Sequence, residues 1–233
     1  MRVYNYLVLL LSFIIFTACK KSPGYPDTPS IEFKDIKKIY GSRQTLNLSI
    51  DVSFKDGNGD LGLSTNETTA PYQEFNYEMA NGARVIIDNA DNYDCKDILK
   101  PNGETNFFKI KRNLNHYNYF IEYFGKAKGS NNFIPLSYEK ASCEKFDPVS
   151  NPNSFKSPNG RFPILHPDNY TGDLEGILNY TTILDEELRV YFTRTLYGTR
   201  KYEPYALKLK IYIQDRALNK SNIIETKEVI IEP

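Results

Sequence analysis

The sequence predicts an all-β protein, an antiparallel immunoglobulin-like β-sandwich with long irregular insertions, and three observations predict it. Leu46, Leu48, Ile50, Val52 and Phe54 alternate with polar Asn47, Ser49, Asp51, Ser53 and Lys55, the two-residue period of a half-buried strand. Leu207, Leu209, Ile211 and Ile213 alternate with Lys208, Lys210, Tyr212 and Gln214 in the same way. The composition agrees, with 18 Tyr and 14 Phe but no Trp and two Met, and no stretch carries a convincing amphipathic helical pattern.

A chain of 233 residues suffices for one large β domain and a tethered segment. Its 29 basic and 29 acidic residues balance, so charge makes no case for nucleic acid as a partner.

Taken in order, the chain opens on an export signal over residues 1–18. Arg2 supplies the positive start, Leu7 to Phe16 an apolar core too short to span a bilayer comfortably, and Thr17 and Ala18 small residues before Cys19. Phe16-Thr17-Ala18-Cys19 resembles the lipobox of bacterial lipoproteins, which implies lipidation at Cys19; the alternative is ordinary cleavage near Ala18. Residues 19–30 are then a lipidated Cys and an extended tether, with three prolines in Lys20 to Ser30 and no apolar periodicity. Residues 31–233 form a single sandwich domain. Lys20 and Lys21 follow the cysteine where surface-exported lipoproteins carry acidic residues, so the expected address is the outer membrane, lipid-anchored, on its periplasmic face.

Ile31 to Ile39 reads as a first strand whose spacing drifts toward helical in its second half. Leu46 to Phe54 is the clearest strand, and Asp56-Gly57-Asn58-Gly59-Asp60 ends it with turn-forming residues. Short strands are expected at Arg84 to Asp88 and Asn106 to Lys111, and a hairpin at Tyr117 to Phe124 with Asn132 to Ser137. Glu144 to Tyr170, with five prolines, is an irregular meander. Leu174 to Leu184 and Leu188 to Leu196 read as a strand pair joined through the acidic turn Asp185-Glu186-Glu187. The alternation from Leu207 to Ile213 and the run Ile223 to Ile231 close the domain as two long antiparallel strands.

Oxygen-bearing side chains at Asp56, Asn58 and Asp60 recur at i, i+2, i+4, a spacing that gathers hard oxygen ligands around Ca²⁺. Glu67 extends the match to the twelfth position of an EF-hand loop, but Leu61 stands where that loop needs glycine, and its flanks are strand and loop. The expected site is therefore an inter-strand calcium loop completed by Asp215 or Asn219, brought alongside if the two loops share one end of the sandwich. A tight Asp-Gly-Asn-Gly turn without an ion is the competing reading. Cys95 and Cys143, the two cysteines besides Cys19, suggest a disulfide in an exported protein, with free thiols the alternative.

Catalysis finds little support. His116 and His166 are the only histidines and neither has metal-ligand spacing. Glu186-Glu187 and Asp173-Glu175 read as turns and solvated faces rather than a glycosidase pair. No phosphate loop, nucleophile elbow or dinucleotide fingerprint is present.

The lipobox, PGYPDTPSIEF, FKDGNGDLGL, NGRFPILHP and IYIQDRALNKSNIIET together resemble an uncharacterised family of Bacteroidota envelope lipoproteins. That resemblance implies an envelope location and an all-β fold, and it brings no activity or functional residue. The expected function is a non-enzymatic structural or accessory interaction domain with an envelope protein partner and a Ca²⁺ site. A glycan-binding module is the alternative, with Tyr117, Tyr119, Tyr123 and Tyr138 as its rings if they are exposed.

Overall fold

In the computed structural model, which describes residues 24–41, 45–144, 146–147, 150–166, 170–199 and 203–232, β1 (Ser30–Tyr40) and β2 (Leu46–Asp56) pair antiparallel from Ser30 opposite Lys55 to Tyr40 opposite Leu46. Cys19 and the export signal lie outside the described residues. The register slips between Phe33 and Asp35, and this bulge accounts for the drifting period of the first strand. Before it Ile31 and Phe33 turn inward, and after it Ile36 does, because one extra residue exchanges the two faces.

A small four-stranded sheet of β3 (Phe75–Tyr77), β6 (Ile86–Ile87), β7 (Ile98–Leu99) and β8 (Phe107–Arg112) follows, with a separate two-stranded hairpin of β4 (Met79–Ala80) and β5 (Ala83–Arg84) between its first two strands. β8 pairs with β3, β6 and β7, while β4 and β5 pair with each other. Its core is a satellite cluster of Ile87, Ala90, Ile98 and Phe107 with Phe146 against it. Cys95 is bonded to Cys143, their Cα atoms 5.5 Å apart. So little apolar surface leaves this layer dependent on the cross-link, which closes a 48-residue separation. Replacing both cysteines by Ala should lower unfolding stability by about 3 kcal/mol, read from denaturant midpoints, through the entropy returned to the unfolded chain.

The second main sheet begins with the hairpin β9 (Tyr119–Ala127) and β10 (Ile134–Leu136), and α1 (Tyr138–Cys143) follows it. β11 (Leu174–Leu184) returns to the first sheet along the full length of β2, giving the order β1-β2-β11. Next come α2 (Glu186–Tyr197), β12 (Tyr205–Ile213), β13 (Ile224–Glu225) and β14 (Val229–Ile231). β12 pairs with β9 on one side and with β13 and β14 on the other. The two sheets share one core, in which Leu48, Ile50 and Val52 of β2 and Leu209, Ile211 and Ile213 of β12 have no more than trace exposure. The architecture is thus an all-β antiparallel sandwich. Tyr119 stacks on Tyr180 across the layers with ring centroids 4.2 Å apart, and the Tyr123 hydroxyl hydrogen-bonds Thr182. No helix among the described residues is long and apolar enough to cross a membrane.

Two expected elements differ. Leu188 to Leu196 is helix rather than strand, and β11 pairs with β2 instead of with it. Asp185, expected in a turn, is the N-cap: its carboxylate accepts from the Leu188 amide at 2.8 Å, Glu186 and Glu187 lie in the first turn, and Gly198 closes the helix at φ 70°. The last run is two short strands, broken where the Thr226 hydroxyl accepts from the Leu209 amide and donates to the Lys227 carbonyl.

Candidate metal centre

The period-2 pattern of β2 runs one residue past its apolar series. Leu46, Leu48, Ile50, Val52 and Phe54 face inward, and Asp56 is the next inward position, with no exposed surface. β12 ends in the same way: Tyr205, Leu207, Leu209, Ile211 and Ile213 face the core, and Asp215, 2% exposed, continues their parity. Each of the two central strands thus delivers a carboxylate to a core-facing position at one end of the sandwich.

The two loops meet there. Arg216 N donates to the Asp60 carbonyl at 3.3 Å and Ala217 N to Asp60 Oδ2 at 3.2 Å. Carboxylate oxygens of Asp56, Asp60 and Asp215 lie within 4.8 Å of one another. Oxygens that share one Ca²⁺ at 2.3–2.6 Å can be no more than about 5 Å apart, so the three fit a single ion. Neither Asp56 oxygen has a hydrogen-bond partner, and Asp60 Oδ1 has none either. The amides of Gly59 and Asp60 lie near enough to favour the charged Asp56, but outside hydrogen-bond geometry.

Electrostatics follow from the geometry. Burial, then the neighbouring charges of Asp60 and Asp215, pushes the Asp56 carboxyl up to about 6. Burial also raises Asp60, with Asp215 adding to it, and burial raises Asp215 against the hydrogen bonds from Asn219. Buried, mutually repelling carboxylates are costly unless protons or a cation neutralise them.

The two asparagines expected as ligands also hold their own loops. Asn58 Oδ1 accepts from the Asp60 amide at 3.2 Å, and Asn219 donates through its backbone amide to Asp215 Oδ1 at 2.7 Å and through Nδ2 to Oδ2 at 2.8 Å. They brace the loops that carry the aspartates. Glu67 stands outside the cluster, with Oε2 accepting from Ser64 N and Oε1 paired with Arg216 at 2.6 Å.

Arg161, which no sequence pattern marks, organises the flank. Its guanidinium donates to the carbonyls of Ser64, Glu67 and Tyr72 at 2.7–3.0 Å and to that of His116. Asn118, buried, joins the same segment through paired bonds with the Phe162 backbone at 2.8 and 3.0 Å. Leu63 N donates to the Phe162 carbonyl and Leu165 N to the Leu61 carbonyl. At Gly62, with φ 107°, a Cβ would stand 2.3 Å from the Pro163 carbonyl oxygen. The tether reaches the same end, where Gly57 N donates to the Pro26 carbonyl at 2.9 Å and Tyr25 N to Asp173 Oδ1 at 2.9 Å. FKDGNGDLGL, NGRFPILHP, IYIQDRALNKSN and the end of PGYPDTPSIEF therefore converge on one site, although up to 191 residues separate bonded partners such as Ile31 and Asn222.

The histidines belong to packing. His116 lies between the Tyr72 carbonyl and Arg161, its basicity lowered by burial, and His166 stacks on Tyr170 at 3.8 Å. Of the tyrosines weighed for sugar stacking, Tyr119 and Tyr123 are buried and Tyr117 and Tyr138 are half-buried. Asp94 adjoins Cys95 and Cys143, but the disulfide withdraws both sulfurs from metal binding. No family model, curated protein or solved structure matches the chain.

Proposed function

We propose that the chain is a non-enzymatic, Ca²⁺-stabilised β domain, lipid-anchored at Cys19 on the periplasmic face of the outer membrane, where it serves as a structural or accessory interaction module for another envelope protein. The observation that carries the ion reading is Asp56, a fully buried carboxylate with both oxygens unpartnered, facing Asp60 and Asp215. A carboxylate without accessible surface suits an enclosed ligand better than a general base, which must touch its substrate. The ion would tie the end of β2 to the end of β12 and hold the tether's landing point at Gly57. The envelope address rests on the lipobox-like segment and the Lys20-Lys21 pair.

The test is a melt of the full-length protein in detergent with Ca²⁺ or a chelator. Calcium at about 100 times its Kd should raise Tm by about 5–10 °C, and an unchanged Tm would remove the ion from the reading. Cys19→Ser should release the protein from membranes into the soluble fraction. A second reading, glycan binding, is favoured by a cleft of about 610 Å³ beside the half-buried Tyr212, which stacks on Phe120 at 4.4 Å, with Glu122, Lys140 and Asn159 on its walls. Binding of envelope glycan fragments that Tyr212→Ala abolishes would support it.

A further inference from the structure

The two edges of the first sheet are built differently. β1 is a guarded edge. It carries the Phe33/Asp35 bulge and exposed Glu32, Lys34 and Lys37. Asn222 both accepts from the Ile31 amide at 2.8 Å and donates to the Ile31 carbonyl at 2.9 Å. Bulges, charges and side-chain caps are the devices by which sheet proteins prevent an edge from pairing with another chain.

β11, the opposite edge, has neither a bulge nor, among the described residues, a side-chain cap on its backbone, and its single charge, Glu175, stands at its second position beside Tyr25. It runs 11 residues in unbroken register with β2 and contains no Lys, Arg or Pro. Among the described residues, no backbone hydrogen bond reaches it except those of β2. Ile177 and Ile183 stand 67% and 52% exposed on its outer face. A long regular edge with apolar side chains is a template for strand addition.

The outward positions also indicate the occupant. Glu175, Ile177, Asn179, Thr181 and Ile183 point outward, and their order from Ile177 to Ile183 is nearly palindromic about Tyr180. Antiparallel self-pairing with Tyr180 on the twofold axis sets Ile177 opposite Ile183 of a second copy, and Asn179 opposite Thr181. Residues of equal parity always meet, so every inward side chain remains inward. Glu175 falls beyond the paired segment, where the second chain has already turned into α2 at Asp185. Two apolar cross-strand pairs and two polar ones then replace exposed isoleucine and bare edge amides.

We infer that β11 is a self-association edge, through which two copies pair antiparallel into a continuous six-stranded sheet. The inference is independent of the ion site, because neither Asp56 nor Asp215 belongs to this strand.

The test uses the full-length chain in detergent. Sedimentation equilibrium should give two chains per particle, and Ile177→Lys with Ile183→Lys should halve that mass while leaving the far-UV circular dichroism of the folded chain in place, since both side chains are exposed on a single copy. Register is read by oxidising a mixture of Ile177→Cys and Ile183→Cys copies, which should cross-link in the mixture and in neither variant alone. One chain per particle at the highest soluble concentration would overturn the inference. So would a dimer that survives both lysines, or a mixture that fails to cross-link, either of which would leave the edge to a strand from a different protein.

Discussion

Asp56→Asn is expected to stabilise the ion-free protein at neutral pH by roughly 3 kcal/mol, and to abolish the rise in Tm on adding Ca²⁺. The first effect runs against the usual outcome of altering a fully buried residue. Asp56 has a folded pKa of about 6 against the ordinary aspartate value of 3.8, so the native state holds its proton more tightly than the unfolded chain does. Where folded pKa exceeds unfolded pKa for an acid, stability is fully present below the lower value and declines as pH rises toward the higher. Ion-free protein should therefore lose stability between about pH 4 and pH 6 and change little above that. Asn nearly matches the shape and cannot ionise, so the variant should show a shallower decline across that window, what remains coming from the raised carboxyls of Asp60 and Asp215.

Calcium reverses the slope, because the ion competes with the same proton. The Ca²⁺-induced rise in Tm should be small at pH 5 and full at pH 7.5. Denaturant curves of native and Asp56→Asn protein, each with Ca²⁺ and with chelator at both pH values, separate the two terms. An Asp56→Asn protein less stable than native in chelator would mean that Asp56 makes a favourable native interaction, contrary to its unpartnered oxygens.

The aspartates were legible because strand parity and loop spacing are both local. Leu46 to Phe54 set the inward phase that places Asp56, and Tyr205 to Ile213 set the phase that places Asp215. The roles of Asn58 and Asn219 were not legible, since a short amide near a turn closes readily on its own loop, and spacing alone does not distinguish a ligand from a brace. Arg161 was hidden for a different reason. Its carbonyl partners lie 45 to 97 residues away in sequence, and a single arginine in a proline-rich stretch has no periodicity to betray it. The long meander looked passive in sequence, and in the fold it carries the residues that fasten the flank of the site.

The segment after β11 was misread because its composition and its end signals disagree. Val190, Tyr191, Phe192, Thr193 and Thr195 favour strand, while Asp185, Glu186, Glu187 and Gly198 are a helix N-cap, an acidic first turn and a C-terminal glycine. Burial decides between them: Leu188, Arg189, Phe192 and Thr193 face inward at i, i+1, i+4, i+5, a helical stripe. Phe192 has no exposed surface, and its ring lies 5.7 Å from that of Tyr123 and 6.5 Å from that of Tyr205, which places it between the helix and β9 and β12. Phe192→Ala should cost about 4 kcal/mol, the sum of lost apolar burial and the cavity left among rings that cannot collapse. Phe192→Leu should recover more than half of that, by keeping most of the volume. Both values come from denaturant midpoints at fixed Ca²⁺, and the Ca²⁺-induced shift should be unchanged in each variant, because Phe192 contacts none of the three aspartates. A loss near that of an exposed substitution would mean that α2 does not close the core and that the strand reading of Leu188 to Leu196 was the better one.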